Sequence, residues 1–179
     1  FERCLVPLKR LHVALLLTSV ENGRESEACD ACTEAGQRVR EYLGTQQLSL
    51  TASGVGHFGE RVLFTRIRAE PFSALQRIHD ILVDAFSRRG FPVFDETSKT
   101  WMEDGQDVAR FSGHTSFLKV SKAMASSKNC EEKKALSQLR PVEVDFSSMS
   151  TFFGVQLCTE FELLSMLGAS NDGYYPRIQ

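Results

Sequence analysis

Apolar and polar positions follow two alternating periods along the chain, and each change of period marks an element boundary. From Leu11 to Ser19 the run LHVALLLTS is short, apolar and bounded by polar segments, the pattern of a largely buried strand with His12 near its start. From about Glu25 to Leu43 the chain is charged and alanine-containing. There Ala28, Cys32, Ala35, Val39 and Leu43 recur three or four apart and Gly44 follows, which predicts an amphipathic helix with a glycine stop. Two strand-like runs, LSLTASGVG and RVLFTRIRAE, are joined by a glycine-bearing turn around Gly56 to Gly59, a hairpin or meander. Between Pro71 and Gly90, Leu75, Ile78, Ile81, Leu82 and Phe86 return at helical spacing, with proline at the start and glycine at the end.

Polar and acidic residues from Asp95 to Asp107 read as a loop carrying Trp101, after which HTSFLKVSK forms a strand that begins at His114. A lysine-rich helical segment near Glu131 to Leu139 follows. The run from Phe153 to Leu167, with Val155, Leu157 and Thr159 alternating, predicts strand again, and Asp172-Gly173 marks a turn into a last strand. The order β-α-β-β-α-β-α-β contains antiparallel hairpins and lacks strict βαβ alternation, which favours a mixed α+β fold over a doubly wound sheet. At 179 residues, 42% of them hydrophobic and thirteen of them Phe, one domain spanning residues 1–179 is the expectation.

Charge narrows the partners. A formal net charge of -2 supplies no global attraction to a phosphate backbone, so nucleotide contact must be local. The longest apolar run, Val13 to Leu17, is far short of the roughly 20 residues that span a bilayer, so no membrane partner is expected. The N-terminus lacks the order of a signal peptide, and a chain opening at Phe1 without Met leads to the expectation of further upstream sequence, itself a route to a protein partner. Five cysteines at irregular positions argue for a reducing compartment, cytoplasm or nucleus. Cys29 and Cys32 form a Cys-x-x-Cys inside a helical stretch with no second pair to complete a zinc site, so no metal is expected.

In an extended strand side chains alternate faces, so His12 shares a face with Ala14, and His114 with Ser116. Each strand offers a histidine followed two residues on by a small residue. Imidazoles change charge near neutral pH, so two can divide phosphoryl transfer as base and acid, while a hydroxyl two residues on donates to a non-bridging oxygen. A lone strand histidine is more often structural. A pair at the heads of two apolar strands, far apart in the chain, suits two half-domains meeting at a cleft. His57 and His79 lack that setting and read as surface or core residues.

LHVALLL and SGHTSFLKVSK resemble the two signature strands of the two-histidine (2H) phosphoesterases, the LigT-like superfamily. SGVGHFGERVLFTRI, the helix running into SRRGFPV, and ELLSM with NDGYY are similar to the central domain of A-kinase anchoring protein seven and its relatives. The resemblance runs from about Leu5 to Tyr175. It implies two pseudo-symmetric lobes of antiparallel strands with outer helices and a central cleft, and a strand and helix ahead of the first motif that the chain does not contain. It further implies His12 and His114 as catalytic groups, Ser116 as a phosphate ligand, no cofactor, and a nucleotide or RNA 3′-end as substrate or ligand. The first motif departs from the family at Ala14, where Thr or Ser is usual; loss of one oxyanion donor costs on the order of 10² to 10³ in rate.

Phe58, Tyr174 and Tyr175 are candidates for stacking on a base, although packing is the commoner role for such residues. Arg61 and Arg66 are candidates to neutralise phosphate, but charge beside a hairpin is usually a solvated face and both stay outside the catalytic set; the cluster Gly54, Gly56 and Gly59 offers amides to phosphate, but hairpin geometry explains it more simply. Three functions compete: a phosphodiesterase acting on 2′,3′-cyclic phosphates or 2′-5′ linkages of nucleotides or RNA ends, a non-catalytic AMP-like nucleotide-binding domain, and a scaffold using the acidic loop from Trp101 to Asp107. Two patterned histidines plus Ser116 place the phosphodiesterase first.

Overall fold

The computed structural model describes residues 2–58, 61–94, 102–103, 106–107, 111–120, 123–124, 127–138, 151–167 and 175–178. Trp101, most of the loop around it, Gly59, Leu139, the Asp172-Gly173 turn and Tyr174 lie outside the described residues. Among the described residues the predicted order of elements is observed, with three two-residue strands added between the second helix and the His114 strand. The elements are β1 (Leu17–Thr18), α1 (Glu25–Leu43), β2 (Leu48–Phe58), β3 (Val62–Glu70), α2 (Ala74–Ser87), β4 (Val93–Phe94), β5 (Met102–Glu103), β6 (Gln106–Asp107), β7 (His114–Lys119), α3 (Cys130–Gln138) and β8 (Phe152–Cys158). Four strands form one sheet in the order β7-β3-β2-β8, while β1 pairs with β4 and β5 with β6.

The chain divides into two compact units, Phe1–Val13 with Ala52–Ile67 and His114–Gly154, and Ala14–Thr51 with Arg68–Gly113 and Val155–Gln179. In the first, Cys4, Leu63, Leu118, Val120, Ala123 and Leu136 form the core, with Phe117 and Met124 packed against it. Its helix α3 is started by Asn129, whose Oδ1 accepts from the Glu131 amide at 2.9 Å and whose carbonyl accepts from Lys133 at 3.0 Å.

In the second unit α1 packs against α2. The buried stripe of α1 is Ala28, Ala31, Ala35 and Val39, so the small face of one helix meets the large one of the other, where Leu75, Ile78, Ile81, Leu82 and Phe86 are buried as predicted. Gly44 ends α1 at φ 56°, its amide donating to Arg40 O at 2.8 Å.

Three predicted boundaries move. The strand expected over Leu11–Ser19 shrinks to Leu17–Thr18. Thr18 pairs with Val93, so the next rung would fall on Pro92, which has no N–H to give; the Thr18 hydroxyl donates to the Pro92 carbonyl at 2.7 Å instead. The strand expected over Phe153–Leu167 ends at Cys158, beyond which Leu164 makes a single antiparallel bridge to Arg177 beside Pro176. Val155 and Leu157, whose alternation predicted that strand, are exposed on the outermost of the four strands. Gly56 lies within β2, not in the turn, because the strand runs on to Phe58.

Candidate active site

The site is organised by the pairing of β3 with β7. Val62 lies opposite Lys119 and Leu63 opposite Leu118; the register then slips, placing Phe64 opposite Ser116, Thr65 opposite Thr115 and Arg66 opposite His114. Phe117 is the residue left over, a β-bulge. Its consequence is steric. In an unbroken strand Leu118 would share a face with His114 and Ser116; the extra residue turns Leu118 to the Leu63 face, where it joins the core. His114 and Ser116 remain together on the opposite face, half-buried, with Phe64 and Arg66 across from them. The sequence placed His114 at the head of this strand beside Ser116, and the structure agrees.

His114 rests on an aromatic pad. Its ring stands edge-on to Phe58 (centroids 4.8 Å apart, 73° between planes) and to Phe64 (5.3 Å, 63°), and those two phenyl rings are 4.4 Å apart. Phe64 is only 1% exposed. It fits because Gly56 on β2 lies beneath it: a Cβ there would stand 2.5 Å from the Phe64 Cζ atom. Phe58 was singled out for stacking on a base; in the folded chain its ring lies against His114 and Phe64.

His12 belongs to the same unit but not to a strand. The bridge between Leu5 and Leu118 and the Val6 amide on the Phe117 carbonyl (2.8 Å) set its segment antiparallel to β7, so the chain advances toward the His114 end. Pro7 then opens a 3-10 turn over Leu8–Arg10, and Leu11 leaves it extended (φ -71°, ψ 126°). This turn, and not the face alternation expected of a strand, orients the imidazole. His12 is exposed, and its Nδ1 lies 2.8 Å from the Arg10 carbonyl oxygen. A carbonyl only accepts, so Nδ1 carries the hydrogen and the basic nitrogen of the neutral ring is Nε2.

Ala14 opens the second unit, and Tyr175 lies in it near the Leu164–Arg177 bridge. His79, half-buried on α2, stacks on Phe111 (4.9 Å, 21°) and donates from Nδ1 to the Leu15 carbonyl at 2.8 Å, the structural role read for it; His57 is exposed. On α1, Cys29 Sγ donates to the Ile178 carbonyl at 3.7 Å, and burial, with the neighbouring Cys29, pushes the Cys32 thiol up, against thiolate chemistry. Among the described residues no group of three or more His, Cys, Asp or Glu is placed to hold a metal ion, and no helix is long and apolar enough to cross a membrane.

A histidine and a serine on one face of a paired strand, backed by aromatic rings, agree with the family resemblance of the sequence. The family model described as the AKAP7 2'5' RNA ligase-like domain matches residues 1–179. The chain belongs to this family. Its α+β architecture with antiparallel strand pairs is that of a 2H phosphoesterase-like domain. No curated protein matches the chain. For this family member, sequence reasoning overlooked Phe64 and the Phe117 bulge, read Gly56 as part of a turn, and set Arg66 aside as solvated charge. The alternation in VLFTRI puts Phe64 and Arg66 on one face, but which residue of another strand lies opposite them is a matter of register.

Proposed function

We propose that this domain hydrolyses 2′,3′-cyclic phosphates, or related 2′-5′ linkages, of nucleotides or RNA ends by two-histidine acid-base catalysis. The observation that carries the reading is the His114–Ser116 pair on one face of β7 in a chain of this family. The His12 tautomer supports a division of labour. His12 Nε2 takes a proton from the attacking water as its oxygen bonds to phosphorus; the bond from phosphorus to one ribose oxygen breaks, and protonated His114 delivers its proton to that oxygen. The product is a phosphomonoester. The Ser116 hydroxyl donates to a non-bridging oxygen, where negative charge grows, and Phe58 offers a ring for the base.

Ala14 favours a second reading, a nucleotide-binding domain without turnover. Hydrolysis of 2′,3′-cyclic nucleotides and of cyclic-phosphate-ended RNA decides between them, measured for the wild type, His12→Ala and His114→Ala with AMP binding followed in parallel. Turnover is expected in the wild type and a loss of at least about 10² in either variant, the share typical of a positioned acid or base. Histidine-dependent AMP binding with no turnover would replace the enzyme by a sensor; neither signal from folded protein would overturn both.

A further inference from the structure

We infer that Arg66 is a phosphate-binding residue of this site, a conclusion that rests on the nucleotide reading above and adds a third ligand group to it. Arg66 stands directly opposite His114 in the β3–β7 ladder. Such pairs hold their Cβ atoms about 4.5–5.5 Å apart on one face of the sheet. Two positions along that face is Ser116, opposite Phe64. Arg66 is exposed, and no ion pair or side-chain hydrogen bond joins its guanidinium to any described residue.

A guanidinium facing an imidazole that carries a proton during the reaction is a like-charge pair, which is destabilising when set directly across two strands. An anion bound between them reverses the sign. Both groups then act as donors toward it, and the planar fork of arginine matches two phosphate oxygens at once. Phe64 and Phe58 back the same face and lower its polarity, which strengthens each charge-assisted hydrogen bond made there. The arrangement therefore selects a ligand with a phosphate group over the corresponding nucleoside. Arg66 makes no covalent change; it anchors non-bridging oxygens.

The test compares binding of AMP and of adenosine, by calorimetry, to wild type, Arg66→Gln, Arg66→Lys and His114→Ala, with a melting curve for each. Arg66→Gln is expected to weaken AMP by about tenfold to a hundredfold, the range for a hydrogen bond to a charged group. It should leave adenosine binding and the melting temperature unchanged. Arg66→Lys should recover part of the loss, because the charge returns without the fork. AMP binding that needs His114 but is indifferent to Arg66→Gln overturns the role of Arg66 and leaves the nucleotide site standing. A wild type that binds neither AMP nor a 2′,3′-cyclic nucleotide overturns both together.

Discussion

At the scale of single residues, the position of His114 is governed by a glycine two strands away. Phe64 is nearly inaccessible, and the space its ring fills exists because Gly56 has no side chain. Gly56→Ala sets a methyl group 2.5 Å from the buried Phe64 ring, so the ring or the strand beneath it must shift. The expected cost is about 1–3 kcal/mol, the usual range for overpacking a filled core, read from urea denaturation. Since Phe64 also supports His114, activity should fall with stability. Combining Gly56→Ala with Phe64→Leu relieves the contact, so the double variant should lose less than the two single losses added; strict additivity would show that the ring and the glycine do not meet. Nothing in the residue type at position 56 announces this. A glycine near a hairpin reads as a turn, and only the neighbour above it shows why a side chain is excluded.

At the scale of elements, α1 and α2 were legible because their apolar positions keep one period over many residues, whereas the short strands were not. The face-to-face packing of the helices is bordered by charge. Arg88 and Arg89 each donate to a Glu34 carboxylate oxygen at 2.7 Å, and Arg38 donates to Asp84 at 2.6 Å. The hydrogen bond from Arg89 foremost, with the nearby guanidinium charges, holds Glu34 below the ordinary carboxylate range; that from Arg38 does the same to Asp84. With folded values depressed, the contribution is complete above the unfolded carboxylate value of about 4 and is lost as pH falls below it. Melting temperatures of wild type and Glu34→Gln should differ most near neutrality and converge toward pH 3. A gap that persists undiminished in acid would place the acid sensitivity elsewhere. Other element boundaries were set by groups far off in sequence: β1 stops where its next rung would fall on Pro92, and β7 carries a bulge because Leu118 belongs to a core built with Cys4 and Leu136.

At the scale of the whole molecule, each unit is drawn from three separate stretches of chain, so its contacts are mainly between residues distant in sequence. The net charge of -2 gives no broad attraction for nucleic acid. With Arg66 as a local anchor, nucleotide binding should respond weakly to salt. Between 50 and 200 mM the affinity for a cyclic-phosphate-ended RNA is expected to fall about threefold, the response to roughly one neutralised phosphate; a loss of 10³ or more would mean a tracking surface of many contacts. The sequence by itself determined the α+β class, the order of the principal elements, the family, and His114 with Ser116 at the head of one strand, because periodicity and short motifs are properties of neighbouring residues. Tertiary structure alone decided that His12 is oriented by a 3-10 turn, that a bulge separates core from site on β7, that Phe58 and Phe64 carry the His114 ring, and that Arg66 faces it. The last three depend on strand register, and a slip of one residue, invisible in local pattern, turns every side chain to the other face.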